Sequence, residues 1–404
     1  MSDATIQAEV EKYFEPVDKA AFAAVHEDEV AYEGLWYEGP GQLFTPEDIE
    51  ARNAAERKRN EDAMELIKAD GFVRYPLFYN DLDGNPVELE AWLHPEFEPS
   101  NTEGFFEKHG MHYNIYIPSY ERAGDYGTMD VLDRFGVTNY YICVDPSQYE
   151  KYKEVYPVSR IVIRDINFRN PGIVDPVSSV KHPITMAGHA PLCNFTLTLS
   201  RSLGEDRFWF MDDDFTGLAM KARKGDEIMK ADEVYDKDNF YRCSNILEEY
   251  GFNFKTFMQE LEELAMKMRN PGFVGLEKFG TVFSLPVTWR RNTRVYSYYL
   301  TNNDTQVQHM GRQNNDVGTS VELTKHGMVN MLFEGISYNS APTQAGGGQT
   351  EMYGKFGTYD KGKVISRMQP NTVKISYEYS RIHHSGNFTP LVNQRLVGAP
   401  IPSE

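Results

Sequence analysis

The chain has 404 residues, 41% of them hydrophobic and 13% aromatic, so it is long and apolar enough to form a large globular core. Its net charge of −19 argues against a polyanionic partner, yet residues 1–105 hold 25 Asp and Glu against 8 Lys and Arg, while the remainder holds 35 against 33. Because no apolar run approaches the roughly 20 residues that span a bilayer, and the first residues lack signal-peptide features, we expect a cytoplasmic protein without a membrane partner.

The first 105 residues predict an acidic, mainly helical N-terminal extension. Helical patterns cover residues 9–22 and Pro46–Ala69, where Thr45 can cap the second helix and Pro46 suits its first turn. Residues 71–100 are rich in proline, aspartate and aromatic residues, and they predict strands and loops that lead into a main domain at residues 106–404.

Apolar strands alternate with helical segments after residue 110. This order and spacing predict a parallel sheet with right-handed crossovers, and therefore the α/β class. Ligands of such sheets bind beyond the carboxyl ends of the strands, where we expect Tyr120, Arg122 and Asp145 to gather. The predicted strands are residues 112–117, 139–144 and 160–163, and the predicted helices between them are residues 127–135 and 147–155.

Three consecutive carboxylates, Asp212, Asp213 and Asp214, follow the apolar run 208–211 and should lie at the same edge of the sheet. Neighbouring aspartates repel one another unless they are solvated or share a cation, and Mg²⁺ or Mn²⁺ typically uses one or two carboxylates plus substrate phosphates. The triplet therefore predicts a metal site, with an acidic turn that merely caps a strand as the alternative. Because side chains alternate along a strand, we expect Asp213 to point away from Asp212 and Asp214.

Two segments of the chain resemble nucleotide-sugar glycosyltransferases of the GT-A fold. Residues 114–122 are similar to the opening strand-Pro-Ser/Thr-Tyr-x-Arg pattern, and residues 188–194 with 202–214 resemble the Ala-Arg-Asn helix and the Gly-Glu strand that ends in Asp-x-Asp. The resemblance implies a Rossmann-like, mostly parallel sheet flanked by helices, with a UDP-sugar such as UDP-arabinose or UDP-glucose bound in a donor half at about 106–220. It also implies Mn²⁺ or Mg²⁺ on the donor diphosphate, held by Asp212 and Asp214, and a contact of Asp145 with the nucleotide base. The implied donor-binding residues are Pro118, Ser119, Tyr120, Arg122, Asp145, Asn194, Asp212 and Asp213.

The acceptor half, about 221–404, contains residues 313–327, which are similar to the family's Glu-Asp segment. In inverting enzymes that aspartate is the general base, so the resemblance assigns proton removal from the acceptor hydroxyl to Asp316. Asn315 replaces the usual glutamate, which leaves an inverting or retaining outcome open, and a helix cap is the alternative role of Asp316. A histidine near the C-terminus completes the metal site in other members, which implies His383 or His384 here; a surface pair is the alternative.

Within the GT-A group the chain looks most like the TET-associated bacteriophage enzymes that glycosylate 5-hydroxymethylcytosine in DNA and include arabinosyltransferases. The resemblance implies double-stranded DNA as partner, with the modified cytosine flipped out or captured unstacked. A basic, aromatic stretch offers side chains for phosphate contact and base stacking, although an ordinary strand with a solvated face shows the same alternation. A protein or polysaccharide glycosyltransferase with the same donor site is the alternative function, and the sequence leaves the oligomeric state open. The candidate acceptor residues are Trp289, Arg290, Arg291, Arg294, Tyr296, Tyr298 and Tyr299.

Overall fold

The computed structural model describes sixteen stretches of the chain, and the helix predicted at residues 9–22 lies outside them. The described residues are 36–37, 43–44, 46–80, 86–124, 127–165, 189–223, 233–236, 240–243, 251–278, 289–305, 307–309, 314–340, 365–366, 369, 372–378 and 381–386. Helices in these stretches are α1 Pro46–Ala69, α2 Phe105–His109, α3 Thr128–Arg134, α4 Tyr149–Lys153, α5 Ala190–Ser202, α6 Phe254–Lys267 and α7 Asn315–Lys325. The strands are β1 Trp36–Tyr37, β2 Leu43–Phe44, β3 Val73–Asn80, β4 Pro86–Leu93, β5 Ile115–Pro118, β6 Tyr140–Val144, β7 Ile161–Arg164, β8 Arg207–Met211, β9 Phe215–Arg223, β10 Glu233–Asp236, β11 Phe240–Cys243, β12 Pro271–Lys278, β13 Trp289–Arg291, β14 Tyr298–Asn302, β15 Val329–Ser340, β16 Val373–Glu378 and β17 Arg381–Gly386.

One mixed sheet dominates the described part of the molecule. Its strands follow the order β10-β11-β9-β15-β12-β14-β8-β5-β6-β7-β4-β3, and β13 pairs with β15 beside this path. Strands β8, β5, β6 and β7 are parallel neighbours, as predicted from the alternation of strands and helices. Strand β14 is antiparallel to both β8 and β12, and β12 is parallel to β15. The carboxyl ends of six parallel strands, β5, β6, β7, β8, β12 and β15, therefore share one edge of the sheet, which confirms the α/β class.

The hairpin β3–β4 belongs to this main sheet. Strand β4 pairs antiparallel with β3 on one side and with β7 on the other, so residues 73–93 extend the sheet beyond its parallel centre. The boundary predicted at residue 105 consequently does not separate the hairpin from the main domain. The sequence of residues 71–100 predicted strands, but it could not predict that β4 would pair with β7.

Helix α1 packs on the polypeptide that follows β6. The buried Asn60 side chain accepts a hydrogen bond from the Ser147 backbone N–H at 2.9 Å. Near the end of the helix, the Asp70 carboxylate accepts hydrogen bonds from the Tyr149 hydroxyl at 2.6 Å and from the Lys153 ammonium at 3.1 Å. The Pro46–Ala69 helix predicted from the sequence is therefore present and is joined to the α4 region by side-chain hydrogen bonds.

The central strands bury both of their faces. In β5, Ile115 and Ile117 belong to one apolar cluster, and Tyr116 between them belongs to a second cluster on the opposite face. In β8, Trp209 and Phe210 divide in the same way. This double burial explains why these strands are continuous apolar runs rather than alternating patterns. Among the described helices, none has the length and apolarity needed to cross a bilayer.

Candidate active site

The aspartate triplet forms the turn between β8 and β9, at the carboxyl edge of the sheet. Because β8 ends at Met211, the alternation expected of a strand does not extend to the triplet. The Arg122 guanidinium contacts two of the three carboxylates, with Nη1 2.6 Å from Asp213 Oδ1 and 3.8 Å from Asp214 Oδ2. The prediction that Asp213 points away from Asp214 is therefore wrong, since both carboxylates face one arginine.

Asp213 is held by a chain of hydrogen bonds from the loop after β5. Ser119 Oγ donates to Asp213 Oδ2 at 2.6 Å, so its hydrogen is used and the Tyr152 hydroxyl donates to Ser119 Oγ at 2.5 Å. The Arg122 backbone N–H in turn donates to the Tyr152 hydroxyl at 3.2 Å. Asp213 is only 6% exposed, so it serves to fix Arg122 and Ser119 rather than to present a carboxylate to ligand.

The loop that carries these groups has an unusual backbone. Pro118 ends β5 beside Cys143, and Glu121 has a left-handed φ of 57°. Reciprocal hydrogen bonds fix Glu121, because its N–H donates to Gln148 Oε1 at 3.1 Å and its carboxylate accepts from Gln148 Nε2 at 2.9 Å. Tyr120 lies in the same half-buried loop. The Pro-Ser-Tyr-x-Arg segment thus brings Ser119 and Arg122 to the triplet, as predicted.

The start of α3 supports the triplet from the other side. The Thr128 N–H donates to the Asp213 carbonyl at 3.2 Å, and the Thr128 hydroxyl donates to the Asp212 carbonyl while accepting the Phe215 N–H at 3.1 Å. A Cβ on the preceding residue, Gly127, would lie 2.4 Å from the Asp213 carbonyl oxygen. Only glycine fits there. Neither residue belongs to a recognised motif; the signal in the sequence is a Gly-Thr pair at the start of a helix in a parallel sheet.

His189, immediately before α5, lies beside Asp212 of the triplet. Its Nε2 is 3.7 Å from Asp212 Oδ1, and its Nδ1 is 3.4 Å from Cys193 Sγ. Burial lowers the pKa of His189. The sequence resemblance covers residues 188–194 but assigns no role to His189. Its position beside Asp212 is therefore a finding of the structure.

Burial and mutual repulsion raise the pKa values of the carboxylates in the triplet. Burial raises the pKa of Asp212 to about 7, and repulsion from Asp213 and Asp316 adds to this effect. Burial also raises the pKa of Asp214, with Asp212 as the next contributor. The positive charge of Lys278, at the end of β12, partly offsets the repulsion at both groups. Clustered carboxylates with raised pKa values, gathered at a sheet edge, are typical of functional sites.

Asp316 stands in the first turn of α7 and faces the same region, because its charge acts on Asp212, His189 and Tyr338. The residue before the helix is Asn314, with a φ of 54° and no capping side-chain bond. Asp316 is therefore not the N-cap, although its Oδ1 accepts the N–H of Val317 at 2.8 Å. Its half-buried carboxylate lies near the triplet, as a base beside the donor would require.

A model of the TET-associated glycosyltransferase family matches residues 113–348 of this chain. That range covers more than half of the 404 residues and includes β5, the aspartate triplet and α7. The chain belongs to the TET-associated glycosyltransferase family. It is therefore a glycosyltransferase, and its large sheet with a parallel core is that of a GT-A-like enzyme. No curated protein matches the sequence.

Two of the predicted donor-binding residues, Asn194 and Asp145, are engaged by partners within the protein. Asn194 is 1% exposed, and its side chain bonds only within the protein: Nδ2 donates to the His309 carbonyl and Oδ1 accepts the His309 N–H, both at 2.7 Å. Its predicted contact with the donor is therefore replaced by a structural one. Asp145 lies at the carboxyl end of β6, as predicted, but Arg164 engages its Oδ1 at 2.6 Å in a buried ion pair. A base contact of Asp145 stays a prediction.

Two carboxylates of the triplet, Asp212 and Asp214, are the candidate metal ligands. Within the described residues, no three His, Cys, Asp or Glu side chains are grouped as metal ligands. Asp212 and Asp214 keep 30% and 21% of their side-chain exposure, and two carboxylates with phosphate and water as further ligands suit Mg²⁺ or Mn²⁺. His383 and His384 lie on β17, in a separate pair of strands, and their side chains are outside the described residues.

The predicted acceptor residues divide into an accessible and a buried set. Arg291 is exposed, and Arg294 stacks over the Tyr296 ring at 5.4 Å. Tyr298 and Tyr299 are each 1% exposed, because β14 lies between β8 and β12 in a sheet covered on both faces. The prediction that these two rings stack on a base is corrected, since they belong to the core. Of the others, Trp289 packs on Phe333 with ring centroids 4.9 Å apart, and Arg290 Nε is 2.7 Å from the buried Glu334 carboxylate.

Proposed function

We propose that this glycosyltransferase moves a sugar from a UDP-sugar, UDP-arabinose or UDP-glucose, to the hydroxymethyl group of 5-hydroxymethylcytosine in DNA. Membership of the TET-associated family supports this class of acceptor. The observation that carries the catalytic part is the convergence of Arg122, the triplet and Asp316 at one edge of the sheet. These groups match what the reaction needs: positive charge for a diphosphate and a base for a hydroxyl.

The donor side is built to receive phosphate. Arg122 is held in a fixed orientation by Asp213, and a preorganised guanidinium is well suited to phosphate oxygens. Lys278 adds positive charge to the same region. Asp212 and Asp214 would hold Mn²⁺ or Mg²⁺, which, when bound, neutralises charge that grows on the leaving diphosphate.

The acceptor side requires proton removal. As the hydroxymethyl oxygen attacks the anomeric carbon, the bond from that carbon to the diphosphate oxygen breaks and its electron pair leaves with the nucleotide. Asp316 takes the hydroxyl proton, because its half-buried carboxylate stands in the first turn of α7 and faces the triplet. A single displacement of this kind inverts the anomeric configuration, which nuclear magnetic resonance of the product would report.

Two arginines, the exposed Arg291 at the end of β13 and the half-buried Arg294 after it, suit the DNA backbone. Arg291 and Arg294 present cations that can neutralise phosphates, and the half-buried Trp289 and Tyr296 lie beside them. An extruded cytosine needs a stacking partner, and these two rings are the accessible candidates once Tyr298 and Tyr299 are assigned to the core.

The first experiment identifies donor and acceptor together. Nucleotide sugars are screened for Mn²⁺-dependent thermal stabilisation, and the best donor is incubated with hydroxymethylated duplex DNA for mass spectrometry. We expect one sugar added per hydroxymethylcytosine and none on unmodified cytosine. Transfer to a protein or glycan acceptor, with none to DNA, would support the alternative function.

A second experiment tests the DNA surface. Arg290 is left intact, because its loss would leave the buried Glu334 carboxylate without that partner. Replacing Arg291 and Arg294 by glutamine should reduce the salt dependence of DNA binding by about one unit of slope per lost phosphate contact, with donor hydrolysis unchanged. The matched control replaces two exposed cations elsewhere, Arg74 and Lys108. An unchanged salt slope in the arginine variant would remove this segment from the interface.

A further inference from the structure

A network of neutral side chains connects α5, beside the triplet, to the start of α7. Its first link is the Asn194 amide, which makes reciprocal hydrogen bonds of 2.7 Å with both backbone groups of His309. Asn194 belongs to α5, the helix that follows His189. The position of His309 is thereby fixed relative to the donor side of the site.

The second link is the His309 imidazole. Its Nδ1 lies 3.2 Å from Asn315 Nδ2; Thr319 Oγ1 is 3.1 Å away, but the Thr319 hydroxyl donates its hydrogen to the Asn315 carbonyl instead. Because an amide nitrogen only donates, Nδ1 must accept, and the ring proton is on Nε2, 3.5 Å from the Tyr299 hydroxyl. Burial lowers the pKa of His309 to about 3, so the ring stays neutral and Nδ1 stays an acceptor across the physiological range.

The third link is Asn315, the first residue of α7. Its Nδ2 also lies 3.2 Å from Cys193 Sγ, and its backbone carbonyl accepts the Thr319 hydroxyl at 2.6 Å. These side-chain contacts tie the first turn of α7 to Cys193 in α5 and to His309. The next residue is Asp316, whose orientation follows from that of the turn.

We propose that Asn194, His309 and Asn315 form a clasp that positions Asp316 opposite Asp212. The inference rests on the proposed function, in which Asp316 is the base. The clasp is uncharged. It can therefore hold the Asp316 carboxylate near the three carboxylates of the triplet without adding positive or negative charge. A second carboxylate at position 315 would add to the repulsion at Asp212, and it would also face the acceptor Nδ1 of His309 with a second acceptor.

A double-mutant cycle separates positioning from general stabilisation. Transfer by the parent, Asn315→Ala, Asp316→Asn and the double variant is measured as kcat and as KM for donor and acceptor. If Asn315 acts through Asp316, Asn315→Ala lowers kcat by about 10-fold or more with little change in donor KM, and it has no further effect once Asp316 is Asn. A clasp that merely stabilises the fold lowers kcat by the same factor in both backgrounds, and that result would overturn the inference.

The matched control is Asn330, a second buried asparagine that holds α7. It donates to the Ser320 carbonyl at 2.7 Å and to Thr324 Oγ1 at 3.2 Å, farther along the helix than Asn315. Asn330→Ala should change kcat by the same factor in the parent and in the Asp316→Asn background. If Asn315→Ala does not fold, Asn315→Leu, which is close to asparagine in shape and carries no charge, takes its place in the cycle. A parent that transfers no sugar would refute the proposed function and the clasp with it, whereas an active parent with multiplicative losses refutes the clasp alone.

Discussion

The ion pair between Arg122 and Asp213 gives the sharpest test of how the site is built. The side chains are 15% and 7% exposed, and the closest atoms are 2.6 Å apart. Replacing Arg122 by methionine keeps an apolar stem but leaves the Asp213 carboxylate buried. The Ser119 hydroxyl, from the loop after β5, would still donate a hydrogen bond to it. Removing one partner of such a pair is expected to lower the free energy of unfolding by about 3–5 kcal/mol.

The companion variants determine how much of that loss belongs to the pair. The double variant Arg122→Met with Asp213→Asn removes the stranded charge, so it should recover about 2 kcal/mol relative to Arg122→Met alone. Lys267→Met is the matched control, because Lys267 and Glu263 are 3.6 Å apart with 76% and 41% exposed side chains. An exposed pair of this kind should contribute only about 0–1 kcal/mol.

The assay is urea unfolding at pH 7, followed by tryptophan fluorescence, since Trp209 lies in the core beneath the triplet. Equal slopes with denaturant are required for the comparison of free energies. A loss of less than about 1 kcal/mol for Arg122→Met, or a double variant as unstable as the sum of the single ones, would refute a stabilising pair at the site.

Three further predictions follow from the same geometry. Asp212→Asn and Asp214→Asn should each lower transfer by about 10² or more without lowering stability, because each removes a metal ligand and relieves repulsion among buried carboxylates; near-parent turnover would make the triplet an ordinary acidic turn. Gly127→Ala places a Cβ 2.4 Å from the Asp213 carbonyl, so it should lower stability by about 1–3 kcal/mol and reduce transfer, and a parent-like melting temperature would contradict the close approach. Burial raises the pKa of Glu262 from 4.5 to about 8, so the folded protein retains a proton that the unfolded chain releases. Glu262 should therefore lower stability by about 1.4 kcal/mol per pH unit between these values, and Glu262→Gln should reduce the slope of the parent by that amount; parallel curves for parent and variant would exclude it.

The sequence identified the parts of the site that are local in the chain. Ser119 and Arg122 follow directly from a buried strand and its turn, and the triplet follows from the next matched strand, so the rule for parallel sheets brought them together. Tyr298 and Tyr299 were predicted as acceptor residues, but both lie in a buried strand of the main sheet. Basic residues nearby gave that strand a misleading resemblance to a binding surface.

The remaining features depend on contacts between distant residues. Asn194 and His309 are 115 positions apart, and nothing near either one indicates that an amide will bond the backbone of the other. The same holds for Glu262 and Trp209, 53 positions apart, whose hydrogen bond decides the environment of a core carboxylate. Motifs predicted which residues carry chemistry, while the partners that orient them depend on the packing of helices against the sheet.

The hairpin β3–β4 bears on how the enzyme can be trimmed for study. A recombinant fragment restricted to the matched range, residues 113–348, would lack β4 and leave the backbone N–H and C=O groups of β7 open along a row of buried, apolar residues. An uncovered strand of this kind readily pairs with another chain, so the fragment should aggregate. It would also lose Asn60 and Asp70, which hold the turn and helix behind Ser119. The folding unit of this glycosyltransferase is thus larger than the segment by which its family is recognised.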